Sequence, residues 1–535
     1  MNAQTRLPLN ATRLAVILAI AGPLVWTIYG LLLPPGMFSD PGYGFMTWNS
    51  LLQGAPFDHL LEPDPANIAR DVAISYGWWS AGQYLLPALI TVTGLRLGTA
   101  IVIAVGLCLV IELLGWLRLL RYFNFSPSAC LLMVALIVMA RYSTLNFRNY
   151  IGGEPWITAA APWIMLWACR IPSASLVRSF VLGALTVFVA FLAKLSGLIV
   201  AGAALVAGSL IVLFNLRRIT SGMIGGAIGA GAALVFLQIA WFSHQTIHHY
   251  AYEGTGNAFT PVHALYIFLA PLTAGLSVHE LLAYIFQHPS RRILETNVLI
   301  LTCILPVAAA IAGFLVYNRR SLLPLPKFVS FAAVFLVIFS GMMLFLYLRN
   351  APIPIEERHY RPSGMLVLAA LVAVAVGDYA PRLARAAVFS VLAFASLYGL
   401  ASLLYRPAGE TSARVDAYSR TRIDIIDPQS VRALQDAFAA HGRNALFVLP
   451  SSTIAVVLPP NARIKATDLD YTSEAEFVRS PYAGKTAGPI YVVVQNSLVG
   501  SGKQEALLRS FTAYDPKAWQ ARRFAEATIF EQTRP

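Results

Sequence analysis

Long apolar stretches with almost no charge are the feature that most constrains this chain. A helix needs about 20 mostly apolar residues to span the hydrocarbon core of a bilayer. Seven windows meet this requirement: residues 14–33, 97–117, 195–216, 223–242, 298–316, 328–348 and 386–405. Four shorter apolar windows are also predicted to span: residues 127–140, 156–169, 180–193 and 364–377. The sequence therefore predicts an all-α polytopic membrane protein with about eleven transmembrane helices.

The charged residues divide the chain into two parts. Only 12% of all residues are charged, against about 25% in an average soluble protein. Residues 1–404 contain 13 acidic and 23 basic residues, whereas residues 405–535 contain 13 and 16. We therefore expect a transmembrane module over 1–404 and a soluble C-terminal domain over 405–535.

The positions of the charges predict how the spans are oriented. Short segments at alternate helix ends carry arginine and lysine with almost no acid, which is typical of cytoplasmic loops. The opposite ends carry 11 of the 13 acids of the membrane module. We expect a multi-pass protein of the plasma membrane with a cytoplasmic N-terminus and an extracytoplasmic C-terminal domain. The net charge of +13 is then mainly a topology signal, and no nucleic-acid partner is expected.

Two outer segments stand out by length. The first outer loop, residues 34–83, is rich in aromatic residues, and we interpret residues 67–79 as a helix lying in the membrane interface. The second, residues 243–292, has an apolar run around 265–282 that is expected to dip into the bilayer without crossing it. Both segments belong to the face on which chemistry is expected.

The C-terminal domain has an α/β pattern. Residues 444–450 and 489–495 are predicted as buried strands, and residues 453–458 as a further short strand. Residues 428–441 have helical spacing and are followed by Gly442, which favours a helix end. Phosphate loops and nucleophile elbows are absent from the sequence, so this domain carries no motif of independent catalysis.

Cofactor and metal motifs are also absent. The four cysteines lie in apolar stretches and form no CxxC motif. His244 and His248 have the spacing of a metal-binding pair, but no acidic third ligand follows closely. We expect no cofactor and no metal site, and dependence on a divalent metal is doubtful.

Two acids on the outer side are candidates for chemistry. Asp40 lies just beyond the first span, in a turn that Pro41 and Gly42 favour, where its carboxylate could accept a proton from an attacking hydroxyl group. Glu154 begins another span from the outer side. Structural roles explain both residues as well, because aspartate is common in turns and a first-turn acid stabilises a helix N-terminus.

Basic residues near the outer ends of two other spans are candidate phosphate ligands. Residues 356–362 read EERHYRP and place Arg358, His359, Tyr360 and Arg361 at the membrane surface, where arginine can bind a phosphate group with two donors. Lys194 lies in a tight outer turn between two apolar runs. A solvated loop neutralised by its own glutamates, and a lysine that only reaches the interface, remain equally compatible with these patterns.

Together these elements resemble the GT-C superfamily of polytopic glycosyltransferases, which includes protein O-mannosyltransferases and aminoarabinose transferases. The matching elements are Asp40 with Tyr43 and LLQGAP at 51–56, Glu154 with Pro155, AKLSG at 193–197, and RHYRP at 358–362. The resemblance implies about eleven helices, a catalytic carboxylate in the first outer loop and a soluble outer C-terminal domain.

The resemblance also implies a reaction. The donor would be a sugar on a polyprenyl phosphate, and the sugar would move with inversion to a hydroxyl group of a lipid or glycan acceptor at the membrane. Asp40 would be the general base, while Glu154 and Tyr43 would orient the acceptor or donor. Arg358, His359, Tyr360, Arg361 and Lys194 would bind the phosphate. Asp40 is followed by Pro41 rather than a second acid, which departs from the paired carboxylates and DxD motifs of other members.

Two other functions remain open from the sequence. A transporter or flippase for a lipid-linked sugar would have the same overall composition, although paired interrupted spans with midplane charges are hard to find. A non-catalytic scaffold of the cell envelope would use the C-terminal domain to bind a partner. The sequence does not identify the sugar, the lipid or the acceptor.

Overall fold

A computed structural model describes residues 7–75, 80–244, 260–288, 291–349, 356–405 and 412–532. Within these ranges, ten helices are long and apolar enough to cross a membrane. They coincide with ten of the eleven predicted windows, and the remaining window, 156–169, lies in a shorter helix of 17 residues. The prediction of a polytopic helical membrane protein with a C-terminal α/β domain is confirmed.

The membrane module contains seventeen α-helices in the described residues. In chain order they are α1 (Leu7–Leu32), α2 (Ser39–Leu52), α3 (Gly82–Thr91), α4 (Leu97–Tyr122), α5 (Pro127–Met139), α6 (Arg141–Arg148), α7 (Glu154–Arg170), α8 (Leu176–Ala193), α9 (Gly197–Leu216), α10 (Ser221–Ala240), α11 (Pro261–Thr273), α12 (Val278–Phe286), α13 (Thr296–Leu299), α14 (Leu305–Tyr317), α15 (Pro326–Leu348), α16 (Arg361–Val376) and α17 (Arg382–Leu404). A π-helical turn joins α13 to α14 into one span. Helix α16 is almost entirely buried and lies at the centre of the bundle.

The second outer segment is a bent helix pair. Helices α11 and α12 meet at an angle of 95°, which is the shape of a broken span or a re-entrant loop. Ser277 lies at the bend with a φ of 53°. A two-residue pairing of β5 (Gln287–His288) with β6 (Arg291–Arg292) follows. His248, which was considered as a metal ligand with His244, lies outside the described residues.

The first outer loop contains a β-hairpin where the sequence predicted an interfacial helix. After β1 (Gly36–Met37) and α2, strands β2 (His59–Asp64) and β3 (Asn67–Ser75) pair antiparallel. The prediction of a helix at 67–79 is wrong for its described part, because Ile68, Val72 and Ile74 are β-branched and find a partner strand just before them in the chain. Residues 76–79 lie outside the description.

The C-terminal domain is a five-stranded mixed sheet with helices. The strands β7 (Leu446–Leu449), β8 (Arg463–Ala466), β9 (Ile490–Gln495), β10 (Gln520–Arg523) and β11 (Ala527–Gln532) lie in the order β10-β11-β9-β7-β8. Three helices accompany the sheet: α18 (Pro428–His441), α19 (Glu474–Arg479) and α20 (Gly502–Arg509). Strand β7 is parallel to both neighbours. The predicted strands at 444–450 and 489–495 and the predicted helix at 428–441 are confirmed.

The predicted strand at 453–458 is wrong. Residues Ser452–Val457 form a 3-10 helix in which every residue is buried. A short apolar run that is covered on all sides shows no alternation, so its pattern does not distinguish a strand from a helical turn. The hydroxyl of Ser451 accepts a hydrogen bond from the backbone of Thr453 and begins this helix.

The first outer loop and the C-terminal domain share one hydrophobic core. Tyr43, Met46 and Leu60 pack in the same cluster as Phe447 and Ile454 of the C-terminal domain. The C-terminal domain therefore covers the first outer loop and holds it against the end of the membrane bundle.

Candidate active site

A small parallel pairing brings Asp40 and Glu154 to the same end of the bundle. Strand β1 pairs with β4 (Asn149–Tyr150), and the backbone N–H of Phe38 donates to the carbonyl of Tyr150 at 3.0 Å. Helices α2 and α7 begin shortly after these two strands. Asp40 therefore lies in the first turn of α2, and Glu154 is the first residue of α7.

Glu154 is buried between two cations. Its side chain is 2% exposed and forms an ion pair with the Lys194 ammonium. Lys194 has an extended backbone and ends α8, in the tight turn that leads into α9. The guanidinium of Arg358 lies 3.4 Å from the same Glu154 oxygen. A buried carboxylate with two cations has a strong electrostatic reason to remain ionised.

Arg358 joins the two candidate acids. It lies on the 3-10 turn Glu357–Tyr360 that leads into α16. Its Nη2 is 3.8 Å from Oδ2 of Asp40, and its Nε pairs with Glu356. The Asp40 side chain is 31% exposed, and that of Arg358 is 20% exposed. We call this group the Asp40 cluster; it consists of Asp40, Glu154, Lys194, Glu356 and Arg358.

The environment of Asp40 suits a proton acceptor. Burial raises the pKa of the Asp40 carboxyl above its usual range, and the positive charge of Arg358 lowers it in part. A carboxylate with a raised pKa is a stronger base than an ordinary surface aspartate. It also remains partly open to solvent, so a hydroxyl group of another molecule can reach it.

The other arginine of the 356–362 motif lies in a separate group of charges. Arg361 is 1% exposed and pairs with Glu280 of α12, while Nε of Arg141 in α6 lies 3.0 Å from the second oxygen of Glu280. Glu357 accepts a hydrogen bond from the backbone N–H of Glu280 at 3.0 Å. We call this group the Glu280 cluster; it consists of Arg141, Glu280, Glu357 and Arg361. It ties the bent pair α11–α12 to α6 and α16.

The structure also describes three further residues predicted for the site, Tyr360, His359 and Tyr43. The ring of Tyr360 is buried against Tyr266 and Phe339, with centroid distances of 5.7 and 6.1 Å. In the described residues, the buried Nε2 of His359 has no hydrogen-bond partner. The Tyr43 side chain is 4% exposed and its hydroxyl donates to Asp468 of the C-terminal domain at 2.7 Å.

No family model matches the sequence, and no curated protein matches it. Among solved structures, the chain is similar to ArnT from Cupriavidus metallidurans in the apo state, with 13% identity and a TM-score of 0.50. The match covers 96% of this chain and 97% of that one. The chain shares the fold of that structure over almost its whole length. This agrees with the resemblance drawn from the motifs.

Two further solved structures match the chain at lower scores. One is the arabinofuranosyltransferase AftD from Mycobacteria, with 12% identity and a TM-score of 0.45 over 96% of this chain and 41% of that chain. The other is the Archaeoglobus fulgidus oligosaccharyltransferase in the apo form, with 14% identity and a TM-score of 0.45 over 97% and 73%.

Sequence reasoning missed several charged residues near the site. Glu280 and Arg141 were not candidates, although an acid inside the apolar run around 265–282 is a recognisable signal for a functional or structural charge. Asp468 gave no signal, because its partner Tyr43 is distant in the sequence. In the described ranges, no three His, Cys, Asp or Glu side chains are grouped as metal ligands.

Proposed function

We propose that this protein is a membrane glycosyltransferase that moves a sugar from a polyprenyl-phosphate donor to an acceptor hydroxyl on the outer face of the plasma membrane. The observation that carries the proposal is the Asp40 cluster. A partly exposed carboxylate with a raised pKa lies beside the guanidinium of Arg358, which also approaches Glu154. A base and fixed cations at one site are what transfer from a phosphate leaving group needs.

In the proposed reaction, Asp40 accepts the proton of the acceptor hydroxyl as the oxygen attacks the anomeric carbon of the sugar. The bond between that carbon and the phosphate oxygen breaks at the same time, and the polyprenyl phosphate leaves with an additional negative charge. A single displacement inverts the configuration of the anomeric carbon. The acceptor and the donor are held together at the interface, which supplies proximity.

Arg358 and Lys194 stabilise the phosphate in this proposal, with His359 beside them. The contact of Arg358 with Asp40 is longer than a hydrogen bond, at 3.8 Å. Phosphate oxygens can therefore replace this contact at little cost and leave Asp40 free to act as the base. Glu356 is 45% exposed and can turn to solvent when the phosphate binds. Glu154 holds Lys194 and Arg358 in place through its ion pairs with both.

Tyr360 and Arg361, which the resemblance also assigns to phosphate binding, support the turn that carries Arg358. Because Asp40 is followed by Pro41 rather than a second acid, the proposed mechanism assigns no role to a divalent metal. The acceptor is a lipid or glycan that reaches the site from the outer side.

The test uses the purified protein in liposomes with a panel of radiolabelled polyprenyl-phosphate sugars and an envelope extract that supplies acceptors. Movement of label to a lipid or glycan supports the proposal. Label that crosses the bilayer without transfer supports a transporter instead. Absence of transfer from every donor, with folded protein confirmed by its thermal midpoint, rejects the proposed reaction.

A further inference from the structure

The helix that carries Asp40 is in direct contact with the C-terminal domain. Ser452, at the start of the 3-10 helix Ser452–Val457, is completely buried, and its hydroxyl donates to the backbone carbonyl of Ser39 at 2.7 Å. Ser39 immediately precedes Asp40. The C-terminal domain therefore bonds to the backbone beside the proposed base.

A second bond reaches the other side of Asp40. The hydroxyl of Tyr43 donates to Oδ2 of Asp468 at 2.7 Å. The backbone N–H of Ser452 faces the Asp468 carboxylate and, with the Tyr43 hydroxyl, lowers the pKa of that carboxyl, which burial raises. Ser452 and Asp468 thus bond to residues on the two sides of Asp40, so two hydrogen bonds from the C-terminal domain flank the first turn of α2.

The packing between these two elements leaves no free space. A Cβ atom on Gly42 would lie 2.7 Å from the backbone carbon and oxygen of Ser452. The backbone of α2 therefore rests directly on the 3-10 helix of the C-terminal domain. A contact this close transmits any displacement of the domain to the helix turn that carries Asp40.

Ion pairs keep the domain in register with the loop. The Arg463 guanidinium binds the carboxylate of Asp71 in β3 through two nitrogens, at 2.7 and 3.0 Å. Lys465 pairs with Glu62 of β2, and both side chains are at most 10% exposed. Two charge pairs on one strand of the sheet oppose sliding of the domain over the hairpin.

We propose that Asp468 and Ser452 are positioning residues that hold Asp40 in its productive geometry, so that the C-terminal domain is part of the catalytic apparatus. The inference rests on the proposed function, because it assigns the base to Asp40. A base must lie within hydrogen-bond reach of the acceptor, and supporting contacts that fix its backbone preserve that geometry. The domain then affects the chemical step and leaves donor binding unchanged.

The kinetic test uses Asp468→Ala, which removes the acceptor of the Tyr43 hydroxyl. We expect kcat to fall roughly 10- to 100-fold while KM for the donor stays the same, because a small displacement of a catalytic group has an effect of this size. Asp468→Asn keeps an acceptor oxygen for Tyr43 and should restore most of kcat. The matched control is Asp515→Ala, an aspartate that caps a short turn elsewhere in the domain.

A double-mutant cycle tests the contact itself. Tyr43→Phe should lower kcat in the wild-type background and add little in the Asp468→Ala background, because the two variants remove the same bond. Independent losses that multiply, a raised KM with an unchanged kcat, or an unchanged kcat in Asp468→Ala would each overturn the inference.

A measurement without catalysis separates this inference from the proposed function. Amide hydrogen exchange of the full-length protein should be faster in the peptide containing residues 39–46 in Asp468→Ala and in Ser452→Ala, but not in Asp515→Ala. Unchanged exchange in both variants would overturn the positioning role even if the protein transfers sugar. If the wild type transfers no sugar from any donor but exchange of residues 39–46 is faster in both variants, the proposed function fails. The positioning of α2 by Asp468 and Ser452 is then still supported.

Discussion

The Asp40 cluster and the Glu280 cluster are neighbours with opposite properties. Arg358 lies on the turn that leads into α16 and Arg361 is the first residue of α16, yet each belongs to a different cluster. Arg358 is 20% exposed and approaches Asp40 only to 3.8 Å. Arg361 is 1% exposed and is paired directly with Glu280.

The difference supports the proposed function, in which a phosphate replaces one partner of Arg358 while the ion pairs of the Glu280 cluster stay intact. Long contacts and access to solvent let a ligand replace one partner of Arg358 by another anion. Glu280 lies between two arginines, and its backbone N–H donates to Glu357. Removing one member of a buried charge group leaves the others uncompensated, so such a group resists change. The two clusters both combine arginines with carboxylates, and they differ in the burial of Arg361 and in the longer contact of Arg358 with Asp40.

The largest expected effect is on catalysis, from the variant Asp40→Asn. It should lower kcat by about 10²- to 10⁴-fold, the range that a general base contributes, while the thermal midpoint stays close to that of the wild type. Transfer of radiolabelled sugar and tryptophan fluorescence during heating measure the two quantities. Asp515→Asn, a matched change in the C-terminal domain, should leave both unchanged. Full activity of Asp40→Asn would refute the assignment of the base.

A comparable loss of activity is expected when the Asp40 cluster loses Arg358, the cation that its carboxylates share. Arg358→Gln should lower kcat by about 10²- to 10³-fold, as removal of one group that stabilises the transition state does, with a modest effect on the thermal midpoint. Arg509→Gln, a surface arginine of the C-terminal domain, is the control. An unchanged kcat in Arg358→Gln would show that Arg358 does not contact the leaving group.

A change in the Glu280 cluster should lower the stability of the protein. Glu280→Gln leaves Arg141 and Arg361 without their shared carboxylate, so the free energy of unfolding should fall by about 3 kcal/mol, as for other broken buried pairs. The thermal midpoint in detergent is the measurement. Glu505→Gln breaks an exposed pair with Arg509 and should leave the midpoint unchanged. Equal midpoints for the two variants would remove the distinction between the clusters.

The smallest expected effect is a shift of the pH profile. Asp40 acts as a base only when it is deprotonated, so kcat/KM should rise with pH through its pKa and then level off. Arg358 lowers the pKa of Asp40. The acid limb of the profile should therefore move to higher pH in Arg358→Gln and stay in place in the Arg509→Gln control. A shift to lower pH would contradict the contact between Arg358 and Asp40.

Much of the fold followed from local pattern, and its failures have specific causes. Windows of apolar residues predicted the spans because a helix in lipid must satisfy its own backbone. The helix at 428–441 was predicted with the bounds that the structure has, since Asp427 caps its start and Gly442 ends it. The hairpin of β2 and β3 was missed, because strand pairing depends on a partner that periodicity within 67–79 does not reveal.

The site was predicted in part. Asp40, Glu154, Lys194 and Arg358 were each singled out from short motifs, but nothing local indicated that Arg358 meets both acids or that Arg361 is paired elsewhere. These pairings depend on how α2, α7, α8, α12 and α16 pack. The contacts of Asp468 and Ser452 with α2 were also beyond local reasoning, because 425 residues separate Tyr43 from Asp468.

The sequence by itself determined that this chain is a multi-pass membrane protein with an α/β domain at its C-terminal end, because apolar length and charge composition are local properties. Only the tertiary structure decided which of its ionisable groups meet. Arg358 and Arg361 have the same side chain and lie in one motif, and burial and neighbours alone separate them into the Asp40 cluster and the Glu280 cluster. Electrostatic interactions act through space, so their outcome depends on the packing of distant segments.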